Sequence, residues 1–249
     1  FMNLILYYLF VYLIEAIILW LYCNRIFTSR KNTFLSLLIT IGMFSLLIPV
    51  AILTNAALNA FCSFIVYLCC IVLNYDSKPV WALFHALALT ILMALSEGLI
   101  AAAIPDITIY AFRDGNIHSS AFTFVILSKS VYLCISQLVT RIFSKDTVNN
   151  ASIRKSTLML YLIPVISSII TVSLGYICLN GKLSGSDSVI VFICMVLLLS
   201  INILTFYLQQ DISQKNVEYA RLQIELQKET DTEHYYNYVQ EVNEKQHIL

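Results

Sequence analysis

Seven apolar stretches, each long enough to cross a bilayer, occupy residues 3–23, 34–54, 58–74, 80–104, 122–143, 157–179 and 189–208. A helix needs about 20 predominantly apolar residues to cross roughly 30 Å of hydrocarbon. Each stretch is apolar on all faces rather than along one stripe, which suits lipid or the interior of a membrane bundle. No segment alternates at period two, and hydrocarbon offers no partners to open strand edges, so helix is the spanning form. With 59% hydrophobic and 12% charged residues, an ordinary soluble domain is excluded. The expected fold is all-α: a polytopic membrane bundle of seven spans over 1–208, continuing into a cytoplasmic coiled-coil helix over 209–249. The third span is short and is separated from the second by a polar patch at 55–59, so these two should form a tight helical hairpin.

Basic residues set the expected orientation. The connections after spans one, three and five hold Arg25, Arg30, Lys31, Lys78, Arg141, Lys145, Arg154 and Lys155, whereas those after spans four and six hold Arg113 and Lys182. The positive-inside rule then places the odd-numbered exits and the tail in the cytoplasm, with the N-terminus outside. Trp20 and Trp81, near span ends, are expected at headgroup level. A cleaved signal peptide fits the first span poorly, because there is no basic leader or small-residue cleavage site and Glu15 interrupts the apolar run. The seven cysteines fall within spans or at their edges and read as small buried hydrophobes, not as a disulfide framework or metal site. No basic patch interleaved with aromatics points to nucleic acid.

Ionisable groups in hydrocarbon are costly and face a bundle interior or a wet cavity. Four stand within spans: Glu15, His85, Glu97 and Lys129. Spans four and five are consecutive, so Glu97 and Lys129 are expected to pair, either to fix helix register or to bind a ligand or relay a signal; buried pairs more often fix register. Glu15 could pair with His85 or Lys129, remain protonated, or line a cavity. His85 has no second His or carboxylate at i+4 and reads as a histidine bonded within the bundle rather than a metal ligand. Pro49 and Pro164 should kink their spans. The outer connection 105–120, with Asp106, Arg113, Asp114 and His118 among aromatics, suits a lid over a binding cavity or an idle linker.

From residue 209 onward there is no Pro or Gly, and good helix formers dominate, so the seventh span should continue into the cytoplasm as one rod. Ile212, Tyr219, Leu222 and Leu226 keep a three-four spacing that Val239, Val242 and Leu249 resume, a seam suited to a two-stranded coiled coil. The register between the two parts, through Glu229–Thr232, is ambiguous. No catalytic constellation is visible: the glycines are scattered, there is no HExxH and no nucleophile elbow, and His234 and His247 are lone tail histidines.

The tail, Leu222-Gln-Ile-Glu-Leu-Gln-Lys-Glu followed by Tyr235-Tyr-Asn-Tyr-Val-Gln-Glu-Val-Asn-Glu-Lys-Gln-His-Ile-Leu249, resembles the sensor half of bacterial GHKL-type receptor histidine kinases, the Agr-like quorum-sensing peptide receptors. In that family such an approach, here Glu244-Lys245-Gln246, leads into a His-Asp phosphoacceptor box; His247 is followed by Ile248, so the box is expected beyond Leu249. The resemblance implies a multi-pass receptor in the bacterial plasma membrane, a homodimer through span seven and tail, and an extracellular peptide-like ligand. It also implies a following kinase domain that uses ATP and Mg and signals to a cytoplasmic response regulator; no cofactor is expected in this chain. The competing reading is a secondary transporter or permease using the intramembrane Glu, Lys and His, but no internal repeat supports it and a long cytoplasmic rod has no role in transport.

Overall fold

A computed structural model of the chain describes residues 2–53, 56–105, 119–142, 162–180 and 185–247. It is a helical bundle: α1 (Met2–Ile26), α2 (Thr33–Ser45), α3 (Ile48–Ile52), α4 (Ala56–Asn74), α5 (Pro79–Ala103), α6 (Ser119–Ile142), α7 (Leu162–Asn180) and α8 (Gly185–His247). Among the described residues five apolar segments are long enough to cross a membrane: Leu4–Ile26, Thr33–Ile52, Pro79–Ala103, Ser120–Ile142 and the bundle part of Ser186–Gln240. The apolar runs of α4, over Leu58–Asn74, and of the described part of α7, over Leu162–Thr171, are shorter. Large aliphatic side chains cover the outside; on α1, Leu6, Leu9, Leu13 and Ile17 share one exposed face. In water so much exposed apolar surface would drive aggregation. These are the surfaces of a membrane protein.

Helix α5 is the central post. It packs against α4, α6, α7 and α8, and most of its side chains are buried. Pro79 stands at its start, where a missing N–H costs nothing because the first turn has no acceptor for it. Helices α1, α2, α4, α5 and α6 share a core around Tyr22, Tyr67, Phe84 and Tyr132. A second core joins α5 to α8 through Ile91, Leu95 and Met195. Where water is absent, hydroxyls satisfy themselves on the preceding turn: Thr90 donates to the Ala86 carbonyl at 2.9 Å and Ser96 to that of Leu92 at 2.6 Å.

The expected kink at Pro49 is a full break. The second span ends its first helix at Ser45, turns through Leu46 and Leu47, and restarts with Pro49 in the first turn of α3. The ring removes a backbone donor and crowds the preceding turn, so the chain closes α2 with short i→i−3 bonds, Leu46 N to Met43 O and Leu47 N to Phe44 O. Pro164 lies in the first turn of the described part of α7, and residues 157–161 lie outside the described residues. So do the outer connection 106–118, Lys145, Arg154, Lys155, Lys182 and Leu249. Trp81 is not a headgroup anchor: it is fully buried and stacks on His85 inside the bundle.

Two short strands, β1 (Thr28–Ser29) and β2 (Tyr75–Asp76), pair antiparallel and join the ends of α1 and α4, an element absent from the sequence reading. Beside them Tyr75 donates to Asn24 at 3.2 Å, Ser36 donates to Tyr75 at 3.2 Å, and Asn74 donates to Thr40 at 3.3 Å. Helix α8 runs antiparallel to α5: Ser188 donates to the Ala102 carbonyl near the far end of α5, and Phe206 meets Phe84 near its start. The tail therefore leaves the bundle on the face that carries β1, β2, Arg25, Arg30, Lys31 and Lys78. As expected, α8 continues unbroken from the bundle through the tail; its 63 residues extend about 95 Å.

Gly98 on α5 faces α8, where an added Cβ would stand 2.7 Å from Cε of buried Met195. Gly98→Leu should overpack this contact and cost about 1–3 kcal/mol. Adding Met195→Ala should recover part of the loss in thermal unfolding of the solubilised protein. Equal stability of the single and double variants would contradict the contact.

Candidate functional site

The pair expected between Glu97 and Lys129 is part of a triad. Glu15 on α1, Glu97 on α5 and Lys129 on α6 converge, and the Lys129 ammonium donates to Glu15 Oε1 and to Glu97 Oε1, each at 2.5 Å. Of the partners open to Glu15, the structure brings it to Lys129 and not to His85. Two side chains are sealed from solvent, Glu15 and Lys129 at 3% exposure each, whereas Glu97 is 41% exposed. The cluster therefore has a closed interior end and an open one.

Helical spacing explains the convergence. Glu15 stands near the middle of the apolar run Leu4–Ile26, so α1 carries it to mid-bundle depth. The N-terminal half of α1 packs beside the start of α6, where Tyr7 meets Phe122 edge-on with ring centroids 5.5 Å apart. Because α5 and α6 run antiparallel, Glu97, six residues before the end of α5, reaches the same level as Lys129, nine residues into the apolar run of α6. Tyr12 precedes Glu15 by three residues and Tyr132 follows Lys129 by three, so each shares a face with its neighbour. Tyr12 donates to Asn59 Oδ1 at 2.8 Å, and Tyr132 reaches Tyr67, which in turn donates to Met93 Sδ at 3.3 Å. These bonds flank the triad, Tyr12–Asn59 toward the starts of α1 and α4 and Tyr132–Tyr67–Met93 one turn further along α6.

Burying three charges is expensive, and mutual attraction repays that cost where geometry and extra hydrogen bonds are good. Here one ammonium serves two carboxylates from two other helices. With all three groups ionised the cluster carries an excess negative charge, and Glu15 Oε2 is buried with no hydrogen-bond partner among the described residues. The site can hold three helices in register, and it can exchange partners at its open end.

His85 lies apart from the triad. Its Nδ1 shares a 2.7 Å hydrogen bond with the Tyr22 hydroxyl, and its ring sits among Trp81, Phe27 and Phe84. This aromatic box is tied to α8 through Phe84 and Phe206, whose centroids are 5.4 Å apart. Among the described residues no three His, Cys, Asp or Glu side chains gather as metal ligands. In the tail, Ile212 and Val239 are partly covered, Tyr219, Leu222 and Leu226 are exposed, and the side chain of Val242 lies outside the described residues.

Removing Lys129 should be the most damaging single change, because it strands two carboxylates. Lys129→Met is expected to cost about 3–5 kcal/mol, and adding Glu15→Gln and Glu97→Gln should restore much of the loss. Glu15→Gln alone leaves a neutral Glu97–Lys129 pair and should cost less. Thermal unfolding in detergent measures the series; equal losses for all variants would argue against a shared ammonium. No protein-family model, curated protein or solved structure matches this chain, so the reading of the triad rests on its own geometry.

Proposed function

We propose that the chain is the membrane sensor of a two-component receptor kinase: the bundle takes up an extracellular, peptide-like signal, and α8 carries the change to a cytoplasmic kinase domain. The observation that carries this reading is the register of α8. Ser188, Val191, Met195, Leu198, Asn202, Thr205 and Gln209 are all buried, at alternating steps of three and four. The same steps lead on to Ile212, Tyr219 and Leu226 in the tail. The face that packs against the bundle thus leads into the seam of the tail, with Asn216 and Gln223 at the intervening steps and Leu222 one position off them, drifting by about 20° per heptad in a straight helix. Rotation or sliding of α8 against α5 must therefore move the seam.

The exposed seam residues suit a parallel homodimer, with the lipid-facing side of α8 contributing in the membrane and the tail pairing as a two-stranded coil. Ligand then acts by favouring one of two arrangements of the pair. On this reading α4 and α7 also cross the membrane, giving seven spans. The N-terminus is outside, and the tail lies in the cytoplasm of a bacterial cell, because it exits beside the basic residues. ATP and Mg belong to the kinase domain, and a response regulator is its partner. A transporter is the poorer reading: α1, α5 and α6 run unbroken past Glu15, Glu97 and Lys129, whereas transporter sites are typically built where helices unwind.

Three measurements test the proposal. The reading frame beyond Leu249 should continue into a His-Asp box and an ATP-binding domain; a stop codon there would sink the kinase reading. Single cysteines placed along residues 219–229, in a cysteine-free background, should crosslink between protomers with a three-four period, and uniform or absent crosslinking would remove the dimer. A cysteine at Asn116 should react with an impermeant reagent outside the cell and one at Lys31 only after lysis; the opposite pattern would invert the topology.

A further inference from the structure

The triad holds two carboxylates for one ammonium, and that imbalance is buried at one end and open at the other. Among the described residues Glu15 Oε2 has no hydrogen-bond partner, although Glu15 is 2% exposed. Glu97 stands on the least covered stripe of α5, between Ala94 and Ala101, one turn away on either side and both partly exposed. The two alanines put only methyl groups on either side of the carboxylate along this stripe, where Ile100 is partly exposed as well. Glu97 lies six residues from the end of α5, roughly 9 Å along the axis, on the side of the bundle where α1 and α6 begin.

The chemistry of the surroundings selects the kind of cation. A hard metal ion such as calcium takes about six to eight oxygen ligands. Here α1, α5 and α6 are continuous helices, so their carbonyls are committed to the backbone ladder and few oxygens remain. A primary ammonium needs three acceptors, and the protein already seats one, the Lys129 Nζ, between the same two carboxylates.

We propose that Glu97 and Glu15, with Lys129 between them, form the seat for a cationic group of the ligand, a primary ammonium or guanidinium entering beside Glu97. The inference rests on the receptor reading and names the charge that the signal carries. An arriving cation shares Glu97 with Lys129, frees that ammonium for the second oxygen of Glu15, and cancels the excess charge that the cluster carries when both carboxylates are ionised. The next residue, Gly98, is where α5 presses on Met195 of α8, so the seat adjoins the output helix.

The test uses the full chain in lipid nanodiscs, titrated at constant ionic strength with n-butylammonium, guanidinium, sodium and potassium, with thermal unfolding as the readout. The two organic cations should stabilise the protein saturably, and sodium and potassium should not. Glu97→Gln should weaken the effect at least tenfold. Ala94→Leu, which puts a bulky side chain one turn from Glu97 and leaves every charge in place, should weaken it as well; circular dichroism checks that both variants are folded. No saturable effect, an equal effect from sodium, or full retention in Glu97→Gln would overturn the seat. Loss of organic-cation binding in a protein whose tail still crosslinks with a three-four period removes the seat and leaves the receptor reading. Binding without that period keeps the seat and removes the receptor reading.

Discussion

One ammonium holds the upper half of this bundle together. Lys129 reaches carboxylates on α1 and α5 at once, and those two helices have no other charged link in the described interior. In hydrocarbon the hydrophobic effect does not drive helix against helix, because lipid is as apolar as leucine, so packing and polar contacts must supply the specificity. A misregistered α1 or α5 would strand a charge, and the cost of that error exceeds anything aliphatic packing could return. The triad therefore selects the register, and the aromatic core around Tyr22, Phe84 and Tyr132 packs within it.

The lower end is fastened differently. There the β1–β2 pair, the Asn24–Tyr75–Ser36 hydrogen bonds and the exposed Arg30–Asp76 contact at 3.2 Å tie α1, α2 and α4. Exposed ion pairs contribute little, typically 0–1 kcal/mol, so backbone pairing and partly buried side-chain bonds matter more than the salt bridge. The asymmetry has a consequence for motion. The sealed part of the triad resists shear, whereas α8, bound to α5 through aliphatic and methionine contacts, can slide without stranding a charge.

Much of this was legible in the residues because hydropathy is a direct report of the lipid constraint. The span limits for α5 and α6 agree with the helices to within a few residues, and the absence of Pro and Gly after residue 208 correctly implied one continuous helix. Glu97 and Lys129 could be paired because they lie on consecutive spans. Glu15 could not be assigned, because which face of α1 meets α6 is a tertiary fact with no local signature. The strands β1 and β2 are two residues each and follow from the closeness of two helix ends, not from β-propensity. Trp81 illustrates the same limit: a tryptophan near a span end is read as an interfacial anchor, but its helix here is surrounded and its ring stacks on His85.

The two halves of α8 obey different solvents with one pattern. Within the bundle any apolar residue is tolerated on the outer faces, so the three-four stripe is marked there by what packs, including Asn202, which donates to Ser167 on α7. Below Gln209 the outer faces become charged, and the stripe is marked instead by what stays apolar. A residue change that shifts the helix by one position would move both stripes together, because no break in α8 separates them. The polar stretch through Thr230 and Thr232, whose hydroxyls bond back to Leu226 and Lys228, supplies no apolar knob to lock a partner. On the proposed receptor reading, a rod that slides on α5 above and is weakly keyed below passes on a small displacement while its far end re-registers.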